Sequence, residues 1–481
     1  MMAAPRLWPY RVTVIWLEAL VLTVLCLTHT ASQARQPLSH AETGPGIPHP
    51  FDFAFPDHLC GSLRETYMAI NDRVRAACKE EAQAAAAARS APLSATAAAA
   101  GSAGSSAAAA PPSPAPTSAS PAAPAPPVSS AIPTSSLPSR CRTLIFDSGQ
   151  DGYGDTVFGM ASTFAVALLD ERAFLMRQEW LPYAFEPATF DWRVTDDIPL
   201  SKYPPQITDE NNPPNVTFAR LILHNRNISE PEALFAKLQG IAHIGVVWNR
   251  GILFNLLTKG RGPWADRFRG IGLTPPYAFA CVMRLLLRPK LEVLRLAEGL
   301  AELVHTPQGM SIGIHTRLAD HIAWEDPRRL GVPKVLNSSH VEDLYARNIA
   351  ALECAQELER WWSPSSLTIR WFFICNSAQL KIAVRDKFPD KAVITSFVPR
   401  HVAISKDPNS STHAADPVWY QETVAEWLLL ASTDLLVIPE SGFSRSAVMY
   451  SMRPGAVFMP HKCTPDAPVP LSDLATAGCG V

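Results

Sequence analysis

The stretch SIGIHTRLADHIAWE, Ser311 to Glu325, changes character at one point. Up to Ile314, apolar residues and Gly313 alternate with the period of two that marks a strand, and Gly309 punctuates its start. Beyond Ile314 the chain turns polar, and His315, Arg317, Asp320, His321 and Glu325 follow in quick succession. In an open α/β sheet, ligands bind outside the carboxyl ends of the strands, so chemistry is expected where this strand ends.

Working outward, strand and helix patterns alternate on both sides of that stretch. After it come a helix near 340–360, a strand over 367–375, a helix near 378–388 and a strand over 392–397. A long loop then leads to a helix over 419–431, a strand over 434–438, the loop PESGFS, a helix through Met452 and a strand over 456–459. Before it, a strand over 143–146, the polar loop DSGQDGYGD, a helix over 156–169 and a strand over 172–177 form a βαβ unit. Segment 178–215, rich in Trp, Tyr, Phe and Pro, reads as loops around a cleft. Strands follow at 218–223 and 244–248, a helix near 230–239, and helical patterns from 276 to 305 that the Arg288-Pro289 step breaks in two. Strands separated by helices at this spacing predict α/β architecture: two Rossmann-like, doubly wound parallel domains facing a cleft.

The chain has 481 residues and a net charge of −2, with no basic block, which argues against a nucleic-acid surface. Arg6 and Arg11 precede an apolar run from Val12 to Leu27, followed by the small-residue segment THTASQA. This fits either a cleaved signal peptide or a single-pass type II membrane anchor. Both direct the remainder to the secretory lumen, as do sequons at Asn215, Asn227, Asn337 and Asn409. The cysteines form no CxxC pair and no zinc-finger spacing, so disulfides are expected in such a compartment, with pairing unreadable from sequence. Cys375, inside an apolar strand pattern, reads as a buried thiol. The expected divisions are 1–34 (signal or anchor), 35–139 (Ala/Ser/Pro-rich stalk with an ordered Cys-containing segment at 51–81), 140–305, 306–465 and a tail, 466–481. An Ala-rich helix near 82–89 would be marginal.

The residues with chemical potential each have a plainer alternative. Arg317 and His315, two apart, would share one side of a strand; the Arg fork suits phosphate oxygens or an ion pair with Asp320 or Glu325. Glu325 could act as a general base or simply be a solvated acid before Asp326-Pro327. Gly152-Tyr153-Gly154 leaves backbone amides open before a helix N-terminus, or makes a tight turn. Ser441 and Ser444, after one strand and before a helix, could hold a phosphate or cap the helix. Glu422 and Glu426, one turn apart on the helix 419–431, read as solvated. No DxD or other paired-carboxylate metal signature is present.

The order and spacing of these signals resemble the GDP-fucose-dependent fucosyltransferases: core α-1,6 and nodulation enzymes, with protein O-fucosyltransferases and plant xyloglucan fucosyltransferases more distant. The resemblance covers about 142–177 and 310–452, and its most specific part is His315-Thr-Arg317-Leu-Ala-Asp320. Glu325 stands at the offset of the family's proposed base, GYGDTVFGMASTFAVALLDERAFLM is similar to its Gly-x-Gly segment, and VAEWLLLASTDLLVIPESGFSRSA to its late helix–strand–Ser–helix motif. The resemblance implies an inverting, metal-independent GT-B glycosyltransferase of the Golgi or ER, secreted if the leader is cleaved. It would transfer fucose from GDP-fucose to a glycan or glycoprotein hydroxyl. It also implies that Arg317 holds the β-phosphate, His315 lines the nucleotide pocket, Glu426 reads guanine and Ser441 lies near the phosphates. Leu318 and His321 replace basic residues of the motif, Glu426 replaces Asp, and Asp155 follows Gly154 where plant members have Asn-Arg. These departures bear on linkage and donor identity. Two other readings stand beside this one: a related transferase using another nucleotide sugar, and a silent nucleotide- or sugar-binding protein of the same fold.

Overall fold

The computed structural model describes residues 55–90, 141–147, 152–178, 180–194, 206–207, 218–223, 231–248, 251–258, 260–306, 309–318, 336–362, 367–397, 417–452, 457–464 and 468–469. In chain order the first part contains α1 (Asp57–Cys60), α2 (Leu63–Ser90), β1 (Thr143–Asp147), α3 (Tyr153–Leu169), β2 (Ala173–Arg177), α4 (Leu181–Ala184), β3 (Phe185–Pro187), β4 (Gln206–Ile207), β5 (Phe218–Ile222), α5 (Pro231–Ala236), β6 (His243–Val247), α6 (Leu253–Thr258), α7 (Pro263–Gly270), α8 (Ala278–Leu286), β7 (Leu287–Pro289) and α9 (Leu291–Val304). The second contains β8 (Gly309–Thr316), α10 (Ser338–Trp362), β9 (Thr368–Cys375), α11 (Ala378–Lys387), β10 (Ala392–Val393), α12 (Pro417–Ser432), β11 (Leu435–Val437), α13 (Gly442–Ser451) and β12 (Val457–Phe458).

Two five-stranded sheets result, ordered β2-β1-β6-β5-β4 and β10-β9-β8-β11-β12, and every pairing within them is parallel. The expected α/β class with two doubly wound parallel sheets is therefore what the chain forms. β9 shows why the second sheet is covered on both faces. Trp371, Phe373 and Cys375 pack with α10 and α11 on one side, while Phe372 and Ile374 join the core shared with α9 and α12 on the other. A strand buried on both faces reads as an unbroken apolar run, here WFFIC. β8 carries Gly313 where α12 crosses: a Cβ there would lie 2.4 Å from Thr433 Oγ1 and 2.8 Å from Leu430 Cδ1. The helix sits flat on the strand because that position has no side chain.

Three boundaries differ from the sequence reading. The region 276–305 does not simply break into two helices: Leu287–Pro289 is a short strand, paired antiparallel with β3 and tied by Arg288 Nε to Glu186 Oε1 at 2.6 Å. The residue before a proline is held out of the helical region, so the pause becomes extended chain. The strand expected over 392–397 pairs only through Ala392 and Val393, because Thr395 and the Phe397 carbonyl are drawn instead to Lys381. In segment 178–215, the described aromatics Trp180 and Trp192 are buried core residues rather than cleft-loop residues, and the Trp192 indole donates to the Leu286 carbonyl at 2.7 Å.

α2 runs through Ser90, so its Ala-rich end is helical. Leu63, Tyr67, Ile70, Val74 and Ala77 recur at helical spacing and are all buried. The helix covers the edge strand β2, and the Tyr67 hydroxyl accepts the Phe174 N–H at 2.6 Å, satisfying an otherwise open sheet edge. Disulfides Cys60–Cys281 and Cys78–Cys141 fasten this helical segment to the first sheet's surroundings, and Cys354–Cys463 joins α10 to the chain after β12. Cys375 is a buried free thiol, as its strand pattern predicts. Among the described residues no helix is long and apolar enough to cross a membrane; the run Val12–Leu27 lies outside them.

Candidate functional site

In the second sheet the chain moves from β8 to β9 and β10 on one side, then returns to place β11 and β12 on the other. The order reverses between β8 and β11, and crevices at such switch points are where open α/β sheets hold ligands. His315 is in the last turn of β8's alternation, buried, with its ring centroid 5.4 Å from that of Phe443 on α13. Burial, and then the positive charges of Arg317 and Lys381, push its pKa down to about 3, so the imidazole is neutral at physiological pH. Its Nδ1 is buried with no hydrogen-bond partner. β8 ends at Thr316, so Arg317 stands just beyond the strand rather than on it, and is exposed between buried neighbours.

Two helix N-termini meet beside this strand end. α3 starts after Gly152 and α13 after Ser441, neither N-cap residue makes a side-chain cap bond, and the Asp155 carboxylate lies at the same junction, where a Cβ on Gly442 would meet its Oδ1 at 2.9 Å. A Cβ on Gly154 would lie 2.0 Å from the Gly442 carbonyl carbon and 2.2 Å from the Phe443 nitrogen. Only two bare backbones approach this closely, and the approach joins the two halves of the molecule at their first helical turns. The uncapped N–H groups of a helix start carry partial positive charge, so the pairing concentrates two anion-attracting ends in one place. The Ser441 hydroxyl, at a residue 5% exposed, is buried without a partner there, and so is Thr156 Oγ1 in the first turns of α3. Ser444 is engaged locally, its hydroxyl donating to the Ser441 carbonyl at 3.4 Å. Arg445, buried, lies 4.0 Å from Glu440. Burial lowers its pKa, against the opposing pull of Glu440 and Asp155. Asp155 follows Gly154 in the first turn of α3, whose N-cap is Gly152.

Tyr153 has a different place from its glycine neighbours. Its ring, 3% exposed, packs 5.6 Å from Trp180, 5.5 Å from Trp427 and 6.0 Å from Phe443. Tyr420 extends this aromatic wedge by stacking on Trp180 at 5.3 Å. The Tyr153 side chain therefore belongs to the packing between the halves, and its hydroxyl is buried there without a partner, with its pKa raised by burial. Gly152 and Gly154 keep the backbone role expected of the loop.

Glu426 is not solvated. It is 8% exposed, and its Oε1 accepts from Lys381 Nζ at 2.6 Å and from the Thr395 hydroxyl. Lys381, 1% exposed, also donates to Thr395 Oγ1 at 2.8 Å. The cluster lies where β9 and β10 end, close enough for the ammonium to influence His315. The carboxylate that the resemblance assigns to guanine is thus ion-paired through Oε1. Lys381 and Thr395 escape a reading by motif. The available signal is Lys381's place beside Leu380 and three residues before Val384, on the buried face of α11.

The structure thus places His315 and Arg317 at the end of β8 and Gly152, Gly154, Ser441 and Ser444 at the starts of α3 and α13, with the His315–Phe443 contact linking the two and Glu426 paired with Lys381. Asp320 and Glu325 lie outside the described residues. Asn376, at the end of β9, is a further component: its side-chain Oδ1 accepts the Leu318 N–H at 2.8 Å and its Nδ2 donates to the Leu318 carbonyl at 3.0 Å.

No protein-family model matches the chain, and no curated protein matches it. Among solved structures it is similar to a point mutant of Arabidopsis thaliana FUT1 in complex with GDP, at 16% identity over 66% of this chain and 70% of that one, TM-score 0.46. It is also similar to NodZ α-1,6-fucosyltransferase soaked with GDP-fucose, at 15% identity over 64% and 92%, TM-score 0.38. A third likeness is to fucosyltransferase NodZ from Bradyrhizobium, at 15% identity over 64% and 93%, TM-score 0.37.

Proposed function

We propose that the chain is an inverting glycosyltransferase of the secretory pathway that takes its sugar, fucose, from GDP-fucose and transfers it to a glycan or glycoprotein hydroxyl. The observation that carries the reading is the meeting of two helix N-termini, at Gly154 and Gly442, beside the end of β8, with the Ser441 hydroxyl at the start of α13 buried and unpartnered. Such a place suits the diphosphate of a nucleotide sugar, and the resemblance of His315-Thr-Arg317-Leu-Ala-Asp320 to the fucosyltransferase motif supports fucose as that sugar.

In this reading the acceptor oxygen attacks the anomeric carbon as the bond from that carbon to the diphosphate oxygen breaks. The electron pair leaves with GDP, and the acceptor proton passes to the Glu325 carboxylate. Arg317 and the amides of the two helix starts stabilise charge growing on the leaving diphosphate, where fixed donors lower a barrier most. Neutral His315 contributes a hydrogen bond rather than a charge. The reaction as written draws on the chain's own residues, and no cofactor or metal is required.

A second reading, a related transferase with another nucleotide sugar, is favoured by one observation: Glu426 is already paired with Lys381. A thermal-shift panel of GDP, UDP and ADP on the purified protein separates the two, followed by transfer assays with the matching fucosyl or other sugar donor. GDP stabilisation with fucose transfer supports the first reading, and preference for UDP the second. Glu325→Gln is expected to keep GDP binding and lose transfer by at least a hundredfold. GDP binding with no transfer or donor hydrolysis, unchanged in that variant, would leave a binding protein.

A further inference from the structure

Main-chain pairing between β8 and β9 ends at Thr316 and Cys375. The contact continues by other means between Asn376, one residue past the last rung of β9, and Leu318, two residues past that of β8. The Asn376 side-chain amide accepts from the Leu318 N–H at 2.8 Å and donates to the Leu318 carbonyl at 3.0 Å, so it binds both polar groups of one peptide residue as a neighbouring strand would. Leu318 is buried against the core under α10 and α11. Arg317 is therefore held from both sides, by the last backbone rung at Thr316 and by the amide rung at Leu318, and is the exposed residue in a run that is otherwise buried from Ser311 to Leu318.

We infer that Asn376 is a positioning residue for the anion site: it extends the sheet by one side-chain rung and so fixes the main chain from which Arg317 projects. The inference rests on the diphosphate reading given above. A long, flexible guanidinium side chain loses entropy when it binds an anion, and a fixed backbone origin reduces what remains to be ordered. Asn suits this position because its amide presents one acceptor and one donor at peptide spacing; Asp has no donor, and Ala has neither. Cys375, the preceding residue, is buried in the core, and its thiol donates to the same Asn376 Oδ1 at 3.8 Å.

A double-mutant cycle on the full-length protein tests this, with GDP and inorganic pyrophosphate as probes in titration calorimetry at two salt concentrations. Asn376→Ala is expected to weaken both probes about tenfold and to flatten the salt dependence of binding, as Arg317→Ala does. The double variant is expected to bind no more weakly than Arg317→Ala alone, because both changes remove the same contribution. Asn376→Asp, which keeps the bond from the Leu318 N–H, provides the second variant should the alanine form fail to fold, and is expected to retain a steeper salt dependence than Arg317→Ala. Wild-type affinity in either foldable Asn376 variant, or losses that add to those of Arg317→Ala, would overturn the positioning role while leaving the diphosphate reading intact. Failure of the wild-type protein to bind either probe would instead overturn the diphosphate reading and this inference with it.

Discussion

Lys381 and Glu426 carry opposite charges at a place almost without water, and each makes the other tolerable. Lys381→Met leaves a buried carboxylate with only the Thr395 hydroxyl. It is expected to destabilise the fold by about 3–5 kcal/mol in urea melts, whereas Lys381→Met with Glu426→Gln recovers most of that loss. Equal stability of the single variant and wild type would show that the pair is not what holds α11 to α12. Histidines give the residue scale a pH signature. His315 is pushed down to about 3 and His243 to about 4, in both cases first by burial and then by neighbouring positive charge, Arg172 in the latter. The unfolded chain takes up these protons below about pH 6.5 and the folded one does not, so stability present above pH 6.5 is lost as pH falls toward 4 and 3. Each accounts for roughly 2 kcal/mol by pH 5, visible as a falling Tm between pH 7.5 and 5, and His243→Asn should reduce the slope. His315 and Arg317 were legible because the chain turns polar as a strand ends. Lys381 was not, since a single lysine in a helix reads as solvent-facing until its neighbours are seen.

The elements meet through their ends. Gly154→Ala places a methyl group 2.0 Å from the Gly442 carbonyl carbon, against backbone that cannot rotate away. The α3 and α13 starts must then separate, at an expected cost of about 3 kcal/mol, and GDP binding should weaken more than for a change of similar cost elsewhere in the core. A Gly154→Ala protein with wild-type Tm and GDP affinity would remove the two helix ends from the site. The strand–helix alternation was legible over nearly the whole second half because strands buried on both faces announce themselves as apolar runs. β10 is shorter than its apolar pattern predicts for a reason seen only in three dimensions: beyond Val393 the Thr395 hydroxyl and the Phe397 carbonyl face the Lys381 ammonium. β7 was missed because a proline step marks an interruption without saying what fills it.

At the scale of the molecule, two parallel sheets share one continuous apolar core across the aromatic wedge at Tyr153, Trp180 and Trp427. The docking of α2 was illegible in sequence, because its fasteners span 63 and 221 residues and cysteine spacing does not declare partners. Replacing Cys78 and Cys141 with Ser releases a long loop in the unfolded chain and is expected to cost about 4 kcal/mol, read as a fall in Tm with the second sheet's ligand affinity unchanged. The proposal that joins all three scales is a nucleoside diphosphate held at the junction of β8, α3 and α13. It is tested most directly by calorimetric titration of the full-length protein with GDP, wild type beside Arg317→Ala. Saturable GDP binding that Arg317→Ala weakens at least tenfold, with the Tm of the unliganded protein unchanged, is the predicted result; absence of nucleotide binding, or equal affinity in the two proteins, would contradict it.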